Sequence, residues 1–351
     1  MISLVLMTAK KRGPFTRLFR TYGVAAFVTA VIWIAVGTLL GRDALLTVVI
    51  LTVLEVTFSF DNAVINAKIL VTMSHFWRML FLTVGIFIAV FVVRFLLPLF
   101  IVGLSANLDL TSVAKLAFEQ PAAYARALEH AAPIIEAFGG TFLLLVGASY
   151  FIDDEKRTHW LGPIERSLSR AGQVQYLSFL VMLALTGIIY LTVAGEHEAI
   201  LVAGIAALAV HTIMAMIEGF FEKRHPSKIR GRAKTGIAAL STFIYLEMLD
   251  ASFSLDSVIG AFAITTGVVL IVAGLGAGAI WVRSMTVHLV ETKALNKFRY
   301  LEHGAHWAIA VLGIIMLLKL YGLHPADWFV GTIGLVFVGL SVLSSKLRRN
   351  A

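Results

Sequence analysis

The chain of 351 residues is 59% hydrophobic and 14% charged, with a formal net charge of +8 and no cysteine. Soluble domains carry about 25% charged residues, so this composition excludes an ordinary soluble globule and points to a chain folded in a bilayer. Disulfides, thiolate metal sites and a cysteine nucleophile are excluded outright, and the excess of basic residues reads as membrane orientation and not as nucleic-acid binding.

Residues 1–21 form a basic segment carrying Lys10, Lys11, Arg12, Arg17 and Arg20. The apolar run over 22–41 is long enough to span and lacks an obvious small-residue cleavage site, which predicts a retained first helix and not a signal peptide. Further spans are predicted at 44–66, 78–103, 134–152, 175–194, 198–220, 235–265, 267–284, 302–321 and 327–345, the seventh being longer than one straight crossing needs. The external loop 104–133, with Pro121 and Pro133 around an Ala-rich stretch, predicts a short amphipathic helix. Loops 153–174 and 221–234 are charged connectors, and 346–351 is a basic tail.

Basic residues collect on the cytoplasmic side of membrane proteins. With the N-terminus inside, Arg42, Lys115 and Arg126 fall outside, Arg94 and Lys319 fall within spans, and the other 24 of 29, Arg283 among them, fall inside. One missed span would scramble that asymmetry. The expected fold is therefore an all-α polytopic membrane protein of about ten transmembrane helices, both termini cytoplasmic.

A phrase recurs in the second and seventh spans. Glu55-Val-Thr-Phe-Ser-Phe-Asp61-Asn62 matches Asp250-Ala-Ser-Phe-Ser-Leu-Asp256-Ser257 position for position. Leu128-Glu129-His130 and Leu301-Glu302-His303 are a second echo, before the fourth and ninth spans. A unit of about five spans is odd in number, so residues 22–194 and 198–345 are expected to be inverted-topology repeats. Secondary transporters of that design place their site near the midplane.

Acids inside a bilayer are costly and default to functional hypotheses. Glu55, Asp61, Glu247, Asp250 and Asp256 cannot all stand bare together; some must be protonated, paired or ligating. On regular helices Glu55, Ser59 and Asn62 share one face, as do Glu247, Asp250, Ser254 and Ser257. Asp61 and Asp256 lie about 100° away, so a local unwinding is needed to bring them in and free backbone carbonyls. Carboxylate, amide and hydroxyl oxygens suit Mn²⁺, Mg²⁺ or Ca²⁺ over softer metals. Arg94 either compensates the acids or bonds a carbonyl. His211 and Glu218 share a face of the sixth span and read as a packed polar pair. Gly274, Gly276 and Gly278 read as a close-packing stripe.

The two acidic phrases resemble the paired signature of TerC-like integral membrane proteins. The stretch from Tyr245 to Ala263 is similar to a bacterial subgroup long labelled as of unknown function. The resemblance covers roughly 44–345. It implies an inner-membrane protein tied to tellurite resistance, with manganese exporters among its relatives. Carried over, Glu55, Asp61 and Asn62 match the first motif, and Asp250 and Asp256 the second; Ser257 replaces the amide, and Glu247 is an extra acid. The expected function is export of a divalent cation, manganese first and calcium or magnesium next, with protons as a candidate coupling ion and no prosthetic group. A non-transporting metal-sensing scaffold is the alternative. An intramembrane aspartyl protease using Asp61 and Asp256 is disfavoured, because no Gly-x-Gly-Asp surrounds Asp256.

Overall fold

The computed structural model describes residues 14–152, 158–171, 177–193, 197–224, 233–262 and 264–348. Among these the chain is helical throughout, with a single β-bridge between Met73 and Lys234. The helices are α1 (Pro14–Leu39), α2 (Arg42–Phe58), α3 (Phe60–Val71), α4 (His75–Ala106), α5 (Leu110–Glu119), α6 (Pro121–Ile152) and α7 (Gly162–Ala171). Then follow α8 (Leu177–Thr192), α9 (His197–Arg224), α10 (Gly236–Phe262), α11 (Val268–Glu291), α12 (Ala294–Lys297), α13 (Leu301–Lys319) and α14 (Asp327–Leu347).

Seven of these helices are long and apolar enough to cross a membrane, and α2 with α3 forms an eighth candidate bent by 53°. The predicted fifth and tenth spans fall on α8, of 16 residues, and α14, whose apolar part is Thr332–Leu347. The chain is thus a multi-pass helical membrane protein. Phe27, Ile34, Phe87, Phe91, Phe100 and Leu104 stand exposed on α1 and α4, as lipid-facing side chains must where no water competes.

Burial sorts the helices into layers. The apolar windows of α6 and α13 are 67% buried and that of α1 only 17%, so α6 and α13 are central and α1 peripheral. Small residues let α6 and α13 approach: a Cβ added at Gly147 would lie 2.8 Å from that of Ala310, and one at Gly313 2.7 Å from the Leu144 backbone nitrogen. Close approach of backbones through small residues is the usual basis of helix association in lipid. The glycine stripe on α11 works the same way against α2, as its spacing predicts. Added Cβ atoms at Gly274 and Gly278 would meet Leu51 and Glu55 at 2.5 Å.

Two expectations need correction. The Ala-rich stretch after Pro121 is not a separate amphipathic helix but the first turns of α6, which runs through Pro133 without a break; the short helix of that region is α5. Its cap is Asp109, whose carboxylate accepts from the Thr111 and Ser112 N–H groups at 3.1 Å each. Arg283 does not lie in an inner loop. It sits in α11, 2% exposed, which leaves the charge asymmetry intact but moves one cation into the bundle.

The connector helix α7 is tied down by a buried acid. Glu165 accepts from the Trp160 N–H at 2.9 Å and from Trp307 Nε1 at 3.0 Å, and its Oε2 lies 2.8 Å from His303 Nδ1. Burial pushes this carboxyl up, but the bonds from His303 and Trp307 outweigh it and hold the group down to about 2.

Candidate functional site

The matched acidic phrases lie on α2/α3 and α10, which run antiparallel. Asn62 Nδ2 donates to Asp250 Oδ1 at 2.9 Å across them. Toward one end Ile65 to Thr72 face Ser241 to Tyr245 across a shared cleft; toward the other, Leu51 to Ser59 face Phe253 to Ile264.

The first phrase breaks the helix where an unwinding is expected. α2 ends at Phe58 and α3 begins at Phe60, with Ser59 at φ −97° and ψ 18°. Neither proline nor glycine is present to cause it. Ser59 Oγ donates to the Glu55 carboxylate, at Oε1, at 2.9 Å across the break. The second phrase differs: α10 is continuous through Asp250 and Asp256.

Each phrase opens with an acid held by an arginine from the next long helix. Glu55 pairs with Arg94 of α4, both almost fully buried. Arg94 also donates through Nη1 to the Ala89 carbonyl at 2.8 Å, within the π-helical stretch Ile88–Leu96 that precedes Pro98. A proline cannot return a hydrogen bond to the turn before it, so the looser winding falls beside it. In the second phrase Arg283 of α11 donates to Asp250 at 3.3 Å and to both oxygens of Glu247 at 3.0 and 3.1 Å. It lies 3.9 Å from the Phe81 ring centre and donates to the Phe81 carbonyl at 2.9 Å. Gly85 of α4 makes room, since a Cβ there would lie 2.4 Å from Arg283 Nη1.

Arg94 thus both pairs with an acid and bonds a carbonyl. Arg283 is the residue that sequence reasoning missed, because it stands at the edge of an apolar run. The available signal was Arg94 itself: a repeat that places an arginine in the third span asks for one in the eighth.

The remaining predicted residues distribute as follows. Asp61 is buried, accepts from the Asn62 N–H at 2.9 Å, and faces α14, where a Cβ at Gly334 would lie 3.0 Å from its Oδ2. Ser254 is buried with no partner for its Oγ, and half-buried Ser257 donates back to the Phe253 carbonyl at 3.3 Å. The backbone of Asp256 lies in α10, but its side chain, like that of Glu218, lies outside the described residues. His211 Nε2 lies 3.3 Å from Ser149. The Glu-His echoes do not share surroundings. Glu129 and His130 are exposed on α6, whereas Glu302 pairs with Lys68 at 3.0 Å and His303 with Glu165.

Among the described residues no three histidine, aspartate or glutamate side chains are grouped to hold a metal. Several buried oxygens nonetheless lack any partner: Glu55 Oε2, Asn62 Oδ1, Asn66 Oδ1 and Ser254 Oγ. Buried polar atoms are nearly always bonded to protein or water; these four lie on three adjoining helix segments, beside Arg94 Nε and Arg283 Nε, which likewise have no protein partner.

Clefts reach this region from both ends. One, of about 430 Å³, is lined by Glu55, Ser59, Ser257 and apolar residues of α2, α10 and α14. The other, of about 510 Å³, lies beyond the buried layer of Val64, Leu249 and Asn62, toward Thr72 and Lys234.

Compared with known proteins, the chain matches no curated protein and no solved structure. Residues 60–351 match a family described as "Protein of unknown function (DUF475)". The match begins just after Ser59, so it takes in Asp61, Asn62, Arg94, the whole second phrase and Arg283, and leaves out Glu55. It covers most of the chain, which belongs to this family of proteins of unknown function.

Proposed function

We propose that the protein is a secondary transporter for a divalent cation, with manganese the first candidate, carried through the acid cluster between α2/α3 and α10. The observation that carries this reading is the pair of buried acid–arginine contacts flanked by unpartnered oxygens. Fully ionised, Glu55, Asp61, Glu247 and Asp250 would supply four negative charges against two from Arg94 and Arg283. So charged, the described cluster is short of two positive charges, which one divalent cation or two protons restore.

In this reading the arginines stand in for the cargo. A cation that bonds Glu55, Asn62 and Ser254 displaces the guanidinium groups, and their return releases it. Oxygen-only donors suit Mn²⁺, Mg²⁺ or Ca²⁺. Manganese is preferred on the resemblance of the two phrases to TerC-like proteins.

Ten spans and an inverted repeat fit the packing. α2/α3 meets α10, α4 meets α11, and α6 meets α13, which are the second, third and fourth spans against the seventh, eighth and ninth. Equivalent helices in contact are what a pseudo-two-fold axis in the membrane plane produces. Clefts approaching one buried layer from opposite ends suit alternating access. The basic termini and loops support a reading with both ends of the chain on the cytoplasmic side of a bacterial inner membrane.

The test is flux into proteoliposomes of Mn²⁺, Ca²⁺ and Mg²⁺ in turn, with and without an imposed pH gradient. Asp61→Asn and Asp256→Asn are expected to abolish flux while the protein still folds. Saturable metal binding without flux would favour the scaffold; absence of both, or full flux in both variants, sinks the assignment.

A further inference from the structure

The cleft near Thr72 has a chemistry that the cation path does not use. Its volume of about 510 Å³ falls within the roughly 300–1,000 Å³ common for small-ligand sites. Lys68, Lys234, His211 and His306 line it, with hydroxyls from Thr72, α6 and α10. Among the described residues no aspartate or glutamate lines it.

The basic groups are held in place. Lys234 is fixed by its backbone, its N–H donating to the Thr72 carbonyl at 2.8 Å and its carbonyl accepting from Ser74 at 3.2 Å. Its Nζ reaches Thr242 Oγ1 at 3.4 Å. Lys68 Nζ lies 4.3 Å from the Tyr150 ring centre, and that ring stacks on His306 at 3.6 Å. His211 lies against Ser149. Among the described residues Glu302 pairs with Lys68, but both are about one-third exposed, so water competes for that bond.

A divalent cation entering here meets two lysines. An oxyanion meets two ammonium groups, two imidazoles and several hydroxyls around one volume, which suits a tetrahedral group with more acceptor oxygens than a carboxylate has. We propose that this cleft binds a phosphate-bearing anion, either a free phosphate compound or a lipid headgroup. The site goes beyond the transport reading and does not depend on it. A bound anion would also offset the lysine charge facing any cation that passes this end.

Inorganic phosphate titrated onto the purified protein in neutral detergent, read by thermal unfolding and calorimetry, tests the free-anion source. Phosphatidylglycerol against phosphatidylcholine, titrated onto delipidated protein, tests the lipid source. Lys68→Gln and Lys234→Gln are each expected to weaken binding about tenfold, the effect of one charged hydrogen bond. Lys346→Gln, an exposed lysine on α14, is expected to leave it unchanged. A response to phosphate that both cleft variants lose supports a free anion; a response confined to phosphatidylglycerol, with the same losses, supports a headgroup. No response to either probe, or one that survives in both cleft variants or falls equally in Lys346→Gln, overturns the proposal.

Discussion

Replacing Arg283 with methionine keeps most of the stem that packs on Phe81 but removes the guanidinium. Four bonds go with it: two to Glu247, one to Asp250 and one to the Phe81 carbonyl. Removing one partner of a buried ion pair costs about 3–5 kcal/mol, because the other charge is left without compensation. Here two carboxylates are stranded at once, which places the cost at the upper end of that range. A long chain shifts its melting midpoint by about 2 °C per kcal/mol, so a drop of roughly 8–10 °C is expected in a detergent melt. The double variant Arg283→Met with Glu247→Gln strands one acid instead of two. It is expected to recover about 0.5–3 kcal/mol relative to additivity, the usual coupling between contacting residues. A single variant melting within about 2 °C of the parent, or two strictly additive substitutions, would refute the reading that this arginine neutralises the acids.

Three further outcomes are expected. Gly278→Ala places a Cβ 2.5 Å from that of Glu55 and should cost about 1–3 kcal/mol by overpacking; an unchanged melt would mean that α2 and α11 can separate freely. Asn62→Ala removes the donor to Asp250 Oδ1 and should cost about 1–3 kcal/mol, against near zero for an exposed control such as Thr83→Ala. Glu165 has its carboxyl held at about 2 against an ordinary 4.5, so its contribution of roughly 3 kcal/mol is complete above pH 4.5. It is lost as pH falls from there toward 2. Hydrogen exchange in residues 158–171 should rise across that window before the α6–α13 core responds, and a flat profile would contradict it.

Much of the site was legible because the bilayer makes acids conspicuous. Glu55, Asp61 and Asp250 are named by position alone, and the repeat of their spacing links two helices that touch through Asn62. The break at Ser59 was also anticipated, since Asp61 falls off the shared face of a regular helix. Arg283 was not visible, because a hydropathy window cannot tell a buried arginine near a span end from one in the adjoining loop. The role of Glu165 was equally hidden. It lies in a charged connector, where an acid is ordinarily solvated, and its partners His303 and Trp307 are about 140 residues away. Helix continuity through Pro133 was missed because proline usually ends a helix, whereas in lipid neighbouring helices tolerate it.

The difference between the two phrases carries the strongest dynamic prediction. Ser59 and Ser254 occupy equivalent places, four residues after Glu55 and Asp250. Ser59 bonds its acid and the helix bends by 53°; Ser254 has no partner, because Asp250 is already engaged by Asn62 and Arg283. Under the proposed reading as an inverted-repeat transporter, alternating access would exchange the conformations of the two halves. In the opposite-facing state α10 should therefore bend at Ser254 and α2/α3 should straighten. Ile237 and Ile264, both exposed, flank α10 at a separation of roughly 40 Å for a straight helix. A bend like that at Ser59 would shorten this by about 4 Å on the same helix geometry. The chain has no native cysteine, so spin labels can be placed at those two positions without further substitution. A second, shorter distance that grows when a transported cation is added is the expected result. A single unchanged distance in a preparation that transports would rule out exchange between the two phrases and leave α2/α3 as the only moving part.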